Sequence, residues 1–217
     1  MSKSFFHIVI SLVLISIFLF PAWGQTRVGK FGVGVEGSGQ MLMGGGSFTP
    51  SFGIGGGVSM SYSIMEYLGL RGKFSTNQLP WKTSSGAVIT TDLMALNIYL
   101  SADLMPNSAW NPFIIAGGGL AFFDPKNNDG SKASVATGDM NFMGGVGVDY
   151  FLNEFWSITL MGEYVMTGSP YYAGSNVPNL DNDSFIRGSL QIRYYFFDQA
   201  FISRLLEAQR ERSKRSK

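Results

Sequence analysis

The hydrophobic pattern of the chain alternates with a period of two in eight separate segments. The last, Ser184–Phe196, puts Ile186, Leu190, Ile192, Tyr194 and Phe196 on one face and Arg187, Ser189, Gln191 and Arg193 on the other. Successive side chains of a strand point to opposite faces, so this segment reads as a strand with one hydrocarbon face and one polar face. The same pattern predicts strands over 27–37, 51–63, 67–76, 89–101, 112–123, 139–151, 156–167 and 184–196. Apolar faces recur at Phe31, Val33 and Val35, at Phe52, Ile54, Val58, Met60 and Tyr62, and at Met94, Leu96, Ile98 and Leu100. Another is formed by Trp156, Ile158, Leu160, Tyr164 and Met166. Segment 112–123 is apolar on both faces, and its pattern does not orient it.

The links alternate as well. Those at 64–66, 102–111 and 152–155 are short or turn-like, whereas 38–50, 77–88, 124–138 and 168–183 are longer and polar. An even strand count with tight turns on one rim and long loops on the other predicts an all-β, eight-stranded antiparallel up-and-down transmembrane β-barrel. It would occupy residues 25–196 of a bacterial outer membrane, surrounded by lipid and with both termini periplasmic.

Period alone does not choose the inner face, because a secreted soluble barrel would turn its apolar side inward around a ligand. Three features favour lipid outside. Gly53, Gly55, Gly57, Ser59 and Ser61 suit a narrow interior better than a solvated surface. Aromatics gather at Phe52, Phe74, Phe123 and Phe185 towards the loops, and at Tyr62, Phe113, Tyr150, Trp156, Tyr194 and Phe196 towards the turns. Two such girdles flank the apolar band of a membrane barrel. Finally, the polar faces hold too few Lys and Glu for a soluble exterior.

The ends differ from the middle. Met1–Gly24 has Lys3, an apolar run from Phe5 to Phe20 and small residues before Gln25, which reads as a secretory signal peptide. An uncleaved anchor is the alternative, but the run falls short of the ~20 residues a spanning helix needs. Residues 197–217 read as a basic tail, helical from about Asp198 to Arg212, with Phe201, Ile202, Leu205 and Leu206 on one face. That face is a candidate docking site for a periplasmic or outer-membrane protein, or for the inner leaflet. The alternative is a frayed appendage.

Composition removes several function classes. Charged residues make up 14% of the chain, against about 25% in ordinary soluble domains. There is no cysteine, and the only histidine, His7, lies in the expected leader. Disulfides, thiolate metal sites and cysteine nucleophiles are thereby excluded, and a serine or water would lack an imidazole base. The expectation is a non-enzyme with no cofactor. Residues 25–196 carry nine basic and twelve acidic groups, net −3, while 197–217 carry six and three, net +3. That balance gives no footprint for nucleic acid.

Three motifs invite chemistry. Gly32–Gly37 matches G-x-G-x-x-G, but inside a strand, where no helix N-terminus follows to meet a pyrophosphate. Asp124–Gly130 and Asp181–Asp183 are acidic loop clusters that offer either calcium ligands or Asx turns. Lys126 and Lys132 intervene, and the spacing fits no EF-hand. The third is the polar face itself: Lys30, Glu36, Arg71, Lys73, Asp149, Glu163, Arg187 and Arg193. These residues could form an ion path or a mutually paired plug. An eight-stranded interior is just wide enough for side chains to fill, which favours the plug.

Asn111–Asp124, Met143–Leu152 and the terminal R-G-S-L-Q-I-R-Y-Y-F resemble the small outer-membrane β-barrel family. That family includes the barrel domain of outer membrane protein A and the outer membrane proteins X and W. The resemblance covers about residues 27–196 and implies fold and location, with no catalytic residue. Three roles follow as expectations. The protein is a structural or surface-interaction barrel using loops around Trp81, Pro125–Lys132 and Tyr171–Tyr172, or an assembly subunit docked through its tail. Alternatively it is a conduit for small hydrophobic molecules, as in the outer membrane protein W family, which would need a lumen that is apolar near its outer end.

Overall fold

The computed structural model describes residues 28–43, 49–82, 86–124, 126, 129, 131–132, 137–169, 172 and 183–196. The expected signal peptide and the tail face of Phe201, Ile202, Leu205 and Leu206 lie outside the described residues. The strands are β1 Phe31–Met43, β2 Thr49–Pro50, β3 Phe52–Ser63, β4 Leu68–Lys82 and β5 Val88–Asp103. They continue as β6 Trp110–Asp124, β7 Gly138–Phe151, β8 Trp156–Thr167 and β9 Ser184–Phe196. Each long strand pairs antiparallel with its neighbours in the chain, and β1 pairs with β9 from Phe31↔Phe196 to Met43↔Ser184. Eight long strands therefore close into a barrel, which leaves no open edge to satisfy in hydrocarbon. The two-residue β2 continues the β3 side against the far end of β4.

β8 and β9 have the bounds that the sequence pattern predicts. The pattern starts β1 early and stops it short of Met43, and it ends β4 before the polar stretch after Thr76. The structure carries β4 on to Lys82, paired with Val88. A strand that rises past the lipid needs no apolar outer face, so Gln78 and Lys82 can point outward while Asn77, Leu79 and Trp81 point inward.

One irregularity sits at this rim. Gly55 pairs with Asn77 and Pro50 with Trp81, so five steps along β2–β3 match four along β4. That is a bulge, which frees carbonyls from the ladder. The Gln40 amide, from β1, donates to both the Ile54 and Gln78 carbonyls at 3.0 Å. Gly53 sits where the strands approach most closely, and a Cβ there would collide with the Gln78 carbonyl.

The turns are built locally. Asn153 Oδ1 accepts from the Phe155 and Trp156 amides, both at 2.9 Å, an Asx turn that reverses the chain from β7 into β8.

Outward faces carry Val35, Ile54, Val58, Leu96, Ile98, Leu100, Val146, Leu160 and Leu190, all more than half exposed. Hydrocarbon spread this widely over the wall matches a lipid environment rather than water. β6 is now oriented, with Phe113, Ile115, Ala121 and Phe123 facing inward and Ile114, Leu120 and Phe122 facing outward. This corrects the expected girdles, because Phe113, Phe123 and Phe185 are buried inside. Phe52 and Phe74 remain outside towards the loops, and Tyr62, Trp156 and Tyr194 towards the turns. There the Trp156 and Tyr194 rings meet at 5.0 Å and the Phe31 and Phe196 rings at 5.2 Å.

Candidate functional site

The lumen divides into two parts along its axis. Most inward positions of the turn-side half, Phe113, Ile115 and Met161 apart, are charged or polar: Glu36 on β1, Arg71 and Lys73 on β4, Tyr99 and Asp103 on β5, Asp149 on β7, Glu163 on β8, and Arg187, Gln191 and Arg193 on β9. Alternation turns each of these side chains inward, and barrel closure brings together those of six strands.

Glu163 is the centre of the upper tier. Its Oε2 takes Lys73 Nζ at 2.6 Å and Arg187 Nε at 2.8 Å. Its Oε1 accepts from Arg187 Nη2 at 3.0 Å and from the Tyr99 hydroxyl at 2.8 Å. The Arg187 contact is thus a two-pronged guanidinium–carboxylate pair, the strongest common form. Lys73 also lies 3.6 Å from Glu36, whose Oε2 accepts from Gln191 at 2.9 Å.

The lower tier centres on Asp149. Arg71 donates to it at 2.8 Å, Arg193 at 3.4 Å and Thr159 at 2.5 Å. Arg71 also lies 3.6 Å from Asp103 and caps the Phe113 ring at 3.8 Å. Gln191 joins the tiers, accepting from Arg193 Nη2 at 2.9 Å. Four cations thus face four carboxylates in one connected network, as buried charges require.

Seven of the eight residues named from the sequence meet here. Lys30 does not. It precedes β1, whose first inward position is Gly32, and its ammonium donates instead to the Glu154 carbonyl at 3.4 Å on the turn-side rim. The sequence reading missed Asp103, because it placed 102–111 in a link, and it missed Tyr99; Gln191 it set on the polar face of the last strand without naming it in the network. The parity they share with Asn97 and Arg193 was the available signal.

The loop-side half of the lumen carries a group of large apolar side chains among neutral polar ones such as Gln40, Asn77 and Thr91. Leu42, Leu79, Trp81, Ile89, Leu93, Phe123, Val165 and Phe185 belong to one buried cluster. Tyr172, from the link between β8 and β9, closes it. The Tyr172 ring stacks on Phe123 with centroids 4.1 Å apart, and its carbonyl accepts from Thr91 Oγ1 at 2.8 Å. Its hydroxyl is buried with no hydrogen-bond partner among the described residues. Burial, and after it the nearby Asp139 and Asp183 carboxylates, push this phenol well above its usual range. Trp81 and Tyr172 were expected in surface contacts, and this burial corrects that placement. Both lie on the inner side, where they cover the lumen mouth.

The described acidic residues of the Asp124–Gly130 cluster are engaged with neighbouring groups, while Asp181 and Asn182 of the second cluster lie outside the described residues. Lys132 pairs with Asp124 at 2.8 Å, and Lys126 lies 3.8 Å from Asp92. Asp129 accepts from the Ser131 hydroxyl at 2.6 Å and the Ser131 amide at 2.9 Å, which holds its carboxyl below the usual range. Among the described residues no group of three or more acidic or histidine side chains is placed to hold a metal.

Comparison with known proteins fits this architecture. The family model for the outer membrane protein beta-barrel domain matches residues 10–193. Comparison with curated proteins finds no match. Among solved structures, Neisserial surface protein A is similar at a TM-score of 0.57 and 16% identity, covering 77% of this chain and 99% of that one. The outer membrane protein OprG from Pseudomonas aeruginosa is similar at a TM-score of 0.53 and 15% identity, covering 82% and 100%. With a closed eight-stranded wall, an outer face of hydrocarbon and a family model matching most of its length, the chain belongs to the outer membrane protein beta-barrel family of the bacterial outer membrane.

Proposed function

We propose that the protein is a non-enzymatic structural and surface-interaction barrel, with a plugged lumen and both termini in the periplasm. One observation carries this reading: the four cations and four carboxylates of the turn-side lumen are paired with one another across the barrel. Charges paired this way hold a wall in register and fill the space a substrate would need. The lack of imidazole and thiol after His7 supports the same conclusion. Function then belongs to the outer rim, where β4, β5 and β6 rise furthest and carry Lys82, Asp92, Asp124, Lys126 and Lys132. The test is purification from native membranes in mild detergent, with the outer loops exchanged or with residues 199–217 removed. Partners lost on loop exchange support the proposal. Partners lost only on tail removal overturn it in favour of an assembly subunit.

A second reading, a conduit for small hydrophobic molecules, is favoured by the apolar loop-side lumen. It requires such molecules to leave before the charged tier, and slower uptake of an aromatic compound by cells lacking the protein would support it.

A further inference from the structure

We infer that Tyr172 is a displaceable stopper, whose ring holds a place at the outer end of the lumen that an uncharged aromatic ring from outside can take. The inference rests on the conduit reading for its physiological use, but its physical basis is separate. The place suits a flat ring, since Phe123 offers a stacking face at 4.1 Å and both rings belong to one buried apolar cluster with Leu42, Leu93, Val165 and Phe185. Tyr172 fills it imperfectly. Its hydroxyl is buried without a hydrogen bond among the described residues, close to two carboxylates, so the occupant carries a polar atom that the place does not serve. Displacement returns that hydroxyl to water, while an uncharged ring without a hydroxyl keeps the stack and leaves nothing unpaired. Thr91, donating to the Tyr172 carbonyl at 2.8 Å, holds the backbone at the mouth and can retain it after the ring swings out.

Trp81 reports on this place, being buried in the same cluster. A barrel whose only tryptophan is Trp81 (Trp23, Trp110 and Trp156 changed to Phe) would be titrated in detergent with nitrobenzene, an uncharged aromatic quencher, and separately with acrylamide. Folding of every variant is checked by its heat-dependent gel migration. The expected result is saturable nitrobenzene quenching in the Tyr172 protein, tighter quenching in Tyr172→Ala, and binding about tenfold weaker in Tyr172→Phe, which gains no freed hydroxyl on displacement. Acrylamide should reach Trp81 several-fold better in Tyr172→Ala than in the other two. Saturable binding confined to Tyr172→Ala would overturn the inference, because it would report only a cavity made by the substitution. Equal binding by Tyr172 and Tyr172→Phe would overturn it as well. If the order holds but cells lacking the protein take up nitrobenzene at an unchanged rate, the stopper stands and the conduit reading falls.

Discussion

The two halves of the lumen solve one problem in opposite ways. On the turn side, side chains from β1, β4, β5, β7, β8 and β9 fill the space with charge, and Glu163 alone accepts from Lys73, Arg187 and Tyr99. Towards the loops the inward positions of the same strands turn apolar, at once on β9, where Phe185 follows Arg187, and on β4 only after Ser75 and Asn77, at Leu79 and Trp81. A charged filling is directional and fails when one partner is lost. An apolar filling loses free energy in proportion to the volume removed. The first half holds register, whereas the second keeps water out of the mouth.

This contrast can be broken in order of expected effect. Glu163→Gln takes from Arg187 its paired carboxylate and leaves Lys73 only Glu36, and should cost about 3–5 kcal/mol, measured by urea unfolding in detergent. A loss under 1 kcal/mol would mean water already screens the lumen. Leu79→Ala, in the apolar half, should cost about 3 kcal/mol. Combined with Asp149→Asn it should add to within about 0.5 kcal/mol, because the two sites share no partner; strong coupling would merge the halves into one unit. Gln40→Leu removes both hydrogen bonds at the bulge and should cost about 1–3 kcal/mol. Smallest is Gly188→Ala on the lipid face, where a new Cβ meets nothing within 4 Å, and a change within about 0.5 kcal/mol is expected. Gly119→Ala supplies the contrast, since its Cβ would collide with the Leu96 carbonyl and the Asn97 side chain.

The charged half was legible in the sequence, because charged residues opposite a hydrocarbon face, such as Arg187 and Arg193 opposite Ile186, Leu190 and Ile192, have only one place to go in a membrane barrel. The apolar half was harder to read. Phe123 and Phe185 look the same whether they face lipid or lumen, and the binary pattern cannot separate two apolar faces. Trp81 lies beyond Pro80 in a polar stretch that reads as a loop, and it is strand pairing with β5 that extends β4 that far. Parity was the missing guide: Phe185 shares the face of Arg187, and Leu79 and Trp81 share that of Arg71 and Lys73. Tyr172 carried no such signal, because loop residues have no period.

The claim that both fillings close the barrel is tested most directly by recording the purified protein in planar lipid bilayers at modest voltage. The account predicts a flat baseline with no steady single-channel steps. Reproducible steps of one size would show a continuous aqueous path through the paired charges and past Tyr172, and would contradict it.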